Sequence, residues 1–110
     1  MLFNRIVAAY DGSKESEKAL EKAVELANST PGAKLHIVHV YQFPAVYLAD
    51  GFVMANNLNK ELMERAEKLV SDLKQRLSET GMEAHVELLY GPPADSILKF
   101  AKEREADLIV

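Results

Sequence analysis

A chain of 110 residues is one domain's worth of sequence, and 48% apolar with 27% charged residues excludes a disordered polymer. Acidic residues number 17 against 13 basic ones, a net charge of −4, which is the wrong sign for a protein that displaces counterions from nucleic acid. The absence of cysteine removes disulfides, thiol catalysis and thiolate metal sites, and leaves the redox compartment open.

No apolar run approaches the roughly 20 residues of a membrane span, and the start of the chain is too short in apolar residues for a signal peptide. The expected address is the cytoplasm, with no membrane partner. The first apolar run, Arg5–Tyr10, stops at the turn Asp11-Gly12-Ser13. A short run without polar alternation predicts a strand buried on both faces, as in a parallel sheet. Ala19, Leu20, Ala23, Val24 and Ala27 then form a helical stripe. Ser13 is placed to cap this helix, Glu15 and Glu17 favour its positive end, and Pro31-Gly32 closes it. Leu35–Tyr41 is the second strand run. Leu62, Ala66, Leu69, Val70, Leu73 and Leu77 give a longer helical stripe, with Gly81 fitted to its end. The third strand run is Ala84–Tyr90. Pro92 and Pro93 open a third helix with the stripe Ile97, Leu98 and Ala101. The fourth strand run is Asp107–Val110.

Strands alternating with helices imply parallel strands joined by right-handed crossovers. The expected fold class is α/β, a doubly wound parallel sheet, with Ile6, Val7, Ile37, Val38, Val86, Leu88, Leu108 and Ile109 buried. Tyr41 to Asn57 is expected to be a long loop. It carries Phe43, Val46, Tyr47, Leu48, Phe52, Val53 and Met54, and reads either as a lid or contact surface or as a crossover packed on its own domain.

In open parallel sheets ligands bind at the carboxyl ends of the strands, where a helix begins with free backbone N–H groups. Here that place is Tyr10-Asp11-Gly12-Ser13. Asp11 has two readings. Its carboxylate can enter the crevice and accept from a sugar hydroxyl or an exocyclic amine, or it can hydrogen-bond its own turn. Neither Gly-x-Gly-x-x-Gly nor a Walker A sequence is present. His36 and His39 fall on opposite faces of one strand and cannot share a metal. With His85 they read as partly buried sheet residues, and no metal site and no catalytic triad are expected.

Taken in order, Arg5-Ile-Val-Ala-Ala-Tyr-Asp-Gly-Ser13 with Ala19-Leu20 in the next helix resembles the opening of the universal stress protein domain. Leu35-His-Ile-Val-His-Val40 resembles its second strand, Gly91-Pro-Pro-Ala-Asp-Ser-Ile97 the start of its third helix, and Glu105-Ala-Asp-Leu-Ile-Val110 its fourth strand. The match covers the chain apart from Phe43 to Asn57. The resemblance implies a Rossmann-like sheet of the adenine nucleotide alpha hydrolase type, ordered 3-2-1-4-5, in cytoplasmic, stress-induced homodimers. Many members bind ATP. Carried over residue by residue, the nucleoside contacts are Ala9, Asp11 and Val40.

The family's ATP binders continue from strand four into Gly-x-x-Gly and a later Gly followed by Ser or Thr, a loop that holds the phosphates on backbone N–H groups. The sequence reaches Val110 before that loop. The expectation is one stress-protein domain over 1–110 that lacks its last helix and strand, ordered 3-2-1-4. It would carry the base and ribose half of an ATP site without the phosphate half. Since the family pairs through its last strand, self-association through Leu108–Val110 and open apolar faces is expected as well. The leading function is an adenine-nucleotide-binding stress or signalling module without catalysis of its own, at most with weak ATP hydrolysis in a full-length parent. The alternatives are an interaction protein of the same fold, an ATP pyrophosphatase-like enzyme and a receiver domain. Asp11-Gly-Ser-Lys-Glu-Ser16 echoes the pyrophosphatase loop Ser-Gly-Gly-x-Asp-Ser only in part, and Tyr90-Gly91 stands where a receiver needs an Asp.

Overall fold

The computed structural model describes residues 3–41, 52–81 and 84–110, with 52–59 given by their backbone alone. In chain order these form β1 (Arg5–Ala9), α1 (Lys14–Asn28), β2 (Lys34–Tyr41), α2 (Phe52–Glu79), β3 (Ala84–Tyr90), α3 (Pro93–Glu103) and β4 (Leu108–Ile109). The strands pair in parallel in the order β3-β2-β1-β4, the order and direction expected from the sequence.

Sheet order explains which faces are covered. The chain steps from β1 to β2 to β3 in one direction and then crosses back to β4. Right-handed crossovers therefore place α1 and α2 on one face and α3 on the other. Ile6, Ala8, Leu35, Ile37 and Val86 pack on the first face against Leu20, Ala23 and Ala27 of α1 and Val70, Leu73 and Leu77 of α2. Val7 and Val38 pack on the second against Phe100 and Ala101 of α3. The central strands β1 and β2 are thus covered on both sides, which is why their sequences are apolar almost without interruption.

The helix ends follow local chemistry. Ser13 caps α1, its Oγ accepting from the Ser16 N–H at 3.1 Å, and Glu15 and Glu17 occupy the first turn. Pro92 and Pro93 open α3. Beyond α2, Gly81 takes φ +74° and donates to the Ser78 carbonyl at 3.1 Å.

Three expectations are corrected. Residues 52–57, placed in a loop from sequence, belong to α2, which runs for 28 residues. No glycine or proline stands between Gly51 and Gly81, and a nucleated helix extends until something stops it. Residues 42–51 of that expected loop lie outside the described residues. Ile109, expected buried, is 43% exposed, and Leu88 and Leu108 are half-buried. All three stand on β3 or β4, the outer strands of the described sheet, where a neighbour covers only one side. The fourth strand is also shorter than its sequence run, Leu108–Ile109 instead of Asp107–Val110.

Candidate functional site

Beyond its last residue in the ladder, β1 is still held to β2. The Tyr10 N–H donates to the Val38 carbonyl at 2.8 Å, and the Tyr10 carbonyl lies 2.8 Å from Nδ1 of His39. The chain then turns into α1 through Gly12, whose φ of +84° is open to glycine and costly for other residues. A Cβ there would also meet Cδ1 of Leu69 at 3.4 Å. Asp11 closes the turn: its Oδ1 accepts from the Ser13 N–H at 2.9 Å, and its own N–H donates to Ser16 Oγ at 3.3 Å. The hydrogen bonds from Ser13 hold its carboxyl below the usual aspartate range. Of the two readings of Asp11, the turn role is therefore present. It does not remove the residue from the crevice.

A cavity of about 480 Å³ opens at this point, between the start of α1, the ends of β1 and β2 and the start of α3. Ala9, Asp11 and Val40, far apart in the sequence, all line it, with Ser13, His39 and Ile97 among their neighbours. A second cavity of about 320 Å³ shares Asp11, His39 and Val40 and extends to Leu62, Arg65 and Leu69 of α2. The position matches the rule for parallel sheets. Another hollow of similar size, about 500 Å³, lies by Lys34, Lys74 and Ala84 at the amino ends of β2 and β3, where the parallel sheet offers no helix N-terminus to a ligand.

Beside the site, Glu17 ties three elements together. The two terminal nitrogens of the Arg76 guanidinium donate to the Glu17 carboxylate, at 2.9 and 3.0 Å, and the Tyr10 hydroxyl donates to the same carboxylate. Arg76 also stands over the Tyr10 ring, 5.9 Å from its centre. The Arg76 hydrogen bonds hold the Glu17 carboxyl below its usual range, and burial pushes the Tyr10 phenol up. Sequence reasoning missed this cluster, since it reads Glu17 only as a charge that favours the positive end of its helix.

His36 and His39 fall on opposite faces as expected and are half-buried, whereas His85, expected partly buried, is exposed on the outer strand β3. His36 faces α3, stacked on His85 with ring centres 5.0 Å apart and set edge-on to Phe100 at 5.7 Å. Burial, and then the neighbouring His85, lower its pKa. His39 points to the other face and enters the site, which its place in a strand did not suggest. The Ser16 hydroxyl donates to the Ser13 carbonyl at 3.0 Å and so helps to close the turn. Among the described residues no three His, Cys, Asp or Glu side chains gather as metal ligands. No described helix is long and apolar enough to cross a membrane.

The universal stress protein family profile matches residues 2–110. The chain is 33% identical over 118 residues to universal stress protein YxiE of Bacillus subtilis, covering 99% of this chain and 78% of that one. Its fold superimposes on universal stress protein UspA from Lactobacillus plantarum with a TM-score of 0.82, at 23% identity, covering 100% of this chain and 77% of that one. It is also similar to a universal stress protein solved in complex with cAMP, with a TM-score of 0.60 and 22% identity, covering 99% of this chain and 71% of the other.

Proposed function

The chain belongs to the universal stress protein family, and from that premise we propose that it binds an adenine nucleoside or nucleotide at the carboxyl ends of β1 and β2 and acts as a ligand-responsive stress module without catalysis of its own. The observation that carries this reading is the meeting of Ala9, Asp11 and Val40 in one cavity of about 480 Å³. That volume suits a small ligand. Val40, at the end of its strand, has backbone groups to offer an adenine edge. The Asp11 carboxylate suits a ribose hydroxyl or an amine, and the small side chain of Ala9 leaves room for a flat ring. The relative solved with cAMP supports an adenine ligand in this fold.

The lining also bears on phosphate. Asp11 and Glu15 border the cavity, and among the described residues no Lys or Arg does, Arg65 lining only the adjoining one. Charge-assisted hydrogen bonds to an anion contribute roughly 1.5–3 kcal/mol each, so a site without several of them loses decades of affinity for ATP, at about 1.4 kcal/mol per decade. The chain is expected to bind ATP no tighter than millimolar and to prefer adenosine. Calorimetry with adenosine, cAMP and ATP tests this. Micromolar ATP binding would overturn the division of the site, and no binding of any adenine ligand would leave the interaction-protein reading. Self-association accompanies the proposal, and sedimentation at several concentrations measures it.

A further inference from the structure

His39 stands near the carboxyl end of β2, beside the turn that follows β1. It borders both cavities that contain Asp11 and Val40. Its Nδ1 lies 2.8 Å from the Tyr10 carbonyl oxygen. A carbonyl oxygen only accepts, so Nδ1 carries a proton whether the ring is neutral or charged, and the neutral ring has its lone pair on Nε2. This is the less favoured tautomer of a free histidine, so the protein environment selects it.

The consequence is geometric. Tyr10 directly precedes Asp11, and Val40 directly follows His39. Regular pairing of β1 with β2 ends at Ala9 opposite Val38. Beyond that register the Tyr10 N–H to Val38 bond and the His39 to Tyr10 bond join the two segments. The first is a backbone bond at the level of the ladder. The second comes from a side chain and reaches the peptide group that leads into Asp11.

We propose that His39 is a positioning residue of this site: its Nδ1–H pins the Tyr10 carbonyl and so sets the Asp11 turn against the end of β2 at Val40. The proposal rests on the nucleoside reading of the cavity for its functional consequence and on the hydrogen bond alone for its structural one. Sequence reasoning places His39 in a sheet and assigns it no task, because its partner lies 29 positions away.

Asparagine places an amide N–H close to where histidine carries Nδ1–H, whereas leucine fills the volume and donates nothing. In the full chain, nitrogen-15 NMR of the imidazole should report His39 protonated on Nδ1. Protonation on Nε2 alone overturns the proposal, whatever the ligand. For adenosine, His39→Leu should weaken binding about five- to tenfold, the worth of one net hydrogen bond, while His39→Asn should stay within about twofold of the parent. Equal losses in both variants, or none in either, overturn it. If the parent binds no adenosine the nucleoside reading fails, and hydrogen exchange at the amides of Gly12 and Ser13 then decides separately. Faster exchange in His39→Leu with restoration in His39→Asn supports the pin, and unchanged exchange in His39→Leu refutes it.

Discussion

Replacing Arg76 by methionine keeps the volume of the side chain and removes its charge, and the structure indicates what that should cost. Arg76 gives two nearly parallel N–H bonds to Glu17, at 2.9 and 3.0 Å, and lies over the Tyr10 ring at 5.9 Å. The side chains of Arg76 and Glu17 are 48% and 36% exposed, so screening by water cuts the pair to the upper part of the surface range, about 1 kcal/mol for a bidentate geometry. The exposed cation–π contact adds about 0.5 kcal/mol. A destabilisation of about 1.5 kcal/mol corresponds to a fall in Tm of roughly 6–10 °C for a domain of this size. Urea and thermal melts of Arg76→Met, Glu17→Gln and the double variant form a cycle that isolates the pair, with an expected coupling of about 1 kcal/mol. The pH dependence supplies a second check. The folded Glu17 carboxyl titrates below the ordinary glutamate value of 4.5 because Arg76 donates to its charged form. The contribution is therefore complete above about 4.5 and is lost as pH falls through the lower folded value. There the gap between parent and Arg76→Met should shrink to about the 0.5 kcal/mol of the cation–π contact. A coupling under about 0.3 kcal/mol at neutral pH, or a gap that does not shrink at all in acid, would refute the argument that this cluster fastens α1 to α2.

Asp11→Ala removes the acceptor of the Ser13 N–H and should cost about 1 kcal/mol in denaturant melts, the usual worth of such a cap-like bond, together with a measurable loss of adenosine affinity by calorimetry. His36 is held neutral by burial and by His85. The unfolded chain then binds a proton that the folded one resists, so stability should decline as pH falls below about 6.5. In His36→Phe that part of the decline should vanish, and an unaltered pH profile would show that His36 is not its source. Gly91 holds φ +126°, and a Cβ there would approach Ser96 Oγ to 2.9 Å. Gly91→Ala should lower stability by about 1–3 kcal/mol, read by urea titration, and an unchanged midpoint would contradict the strain.

Much of this fold follows from features that act within a few residues. Ser13, with Glu15 and Glu17 behind it, starts α1 by satisfying free N–H groups and meeting the helix dipole. Pro92 and Pro93 start α3 because their backbone is already disposed to a first turn. The uninterrupted apolar runs of β1 and β2 reveal a sheet covered on both faces, and alternation with helices reveals parallel pairing. Asp11 was legible as a residue of the first turn, and Ala9 and Val40 became candidates only through likeness to a family. The stretch from Phe52 to Thr80 holds no helix breaker, and that is the local signal for the early start of α2.

Other properties belong to the assembled sheet. The exposure of Ile109 depends on β4 lying outermost among the described strands, a fact of strand order and not of its own sequence. The Glu17–Arg76 pair spans 59 positions, and no pattern in either helix marks one residue for the other. The cavity exists because the order β3-β2-β1-β4 brings the ends of β1 and β2 beneath the start of α3. The proton on His39 is set by a carbonyl that arrives from another strand. Local sequence determines which backbone conformations are stable, because capping, propensity and burial patterns act between near neighbours. Which distant side chains meet, how exposed an outer residue is and which nitrogen of a histidine is protonated are decided only when the crossovers set the strands side by side.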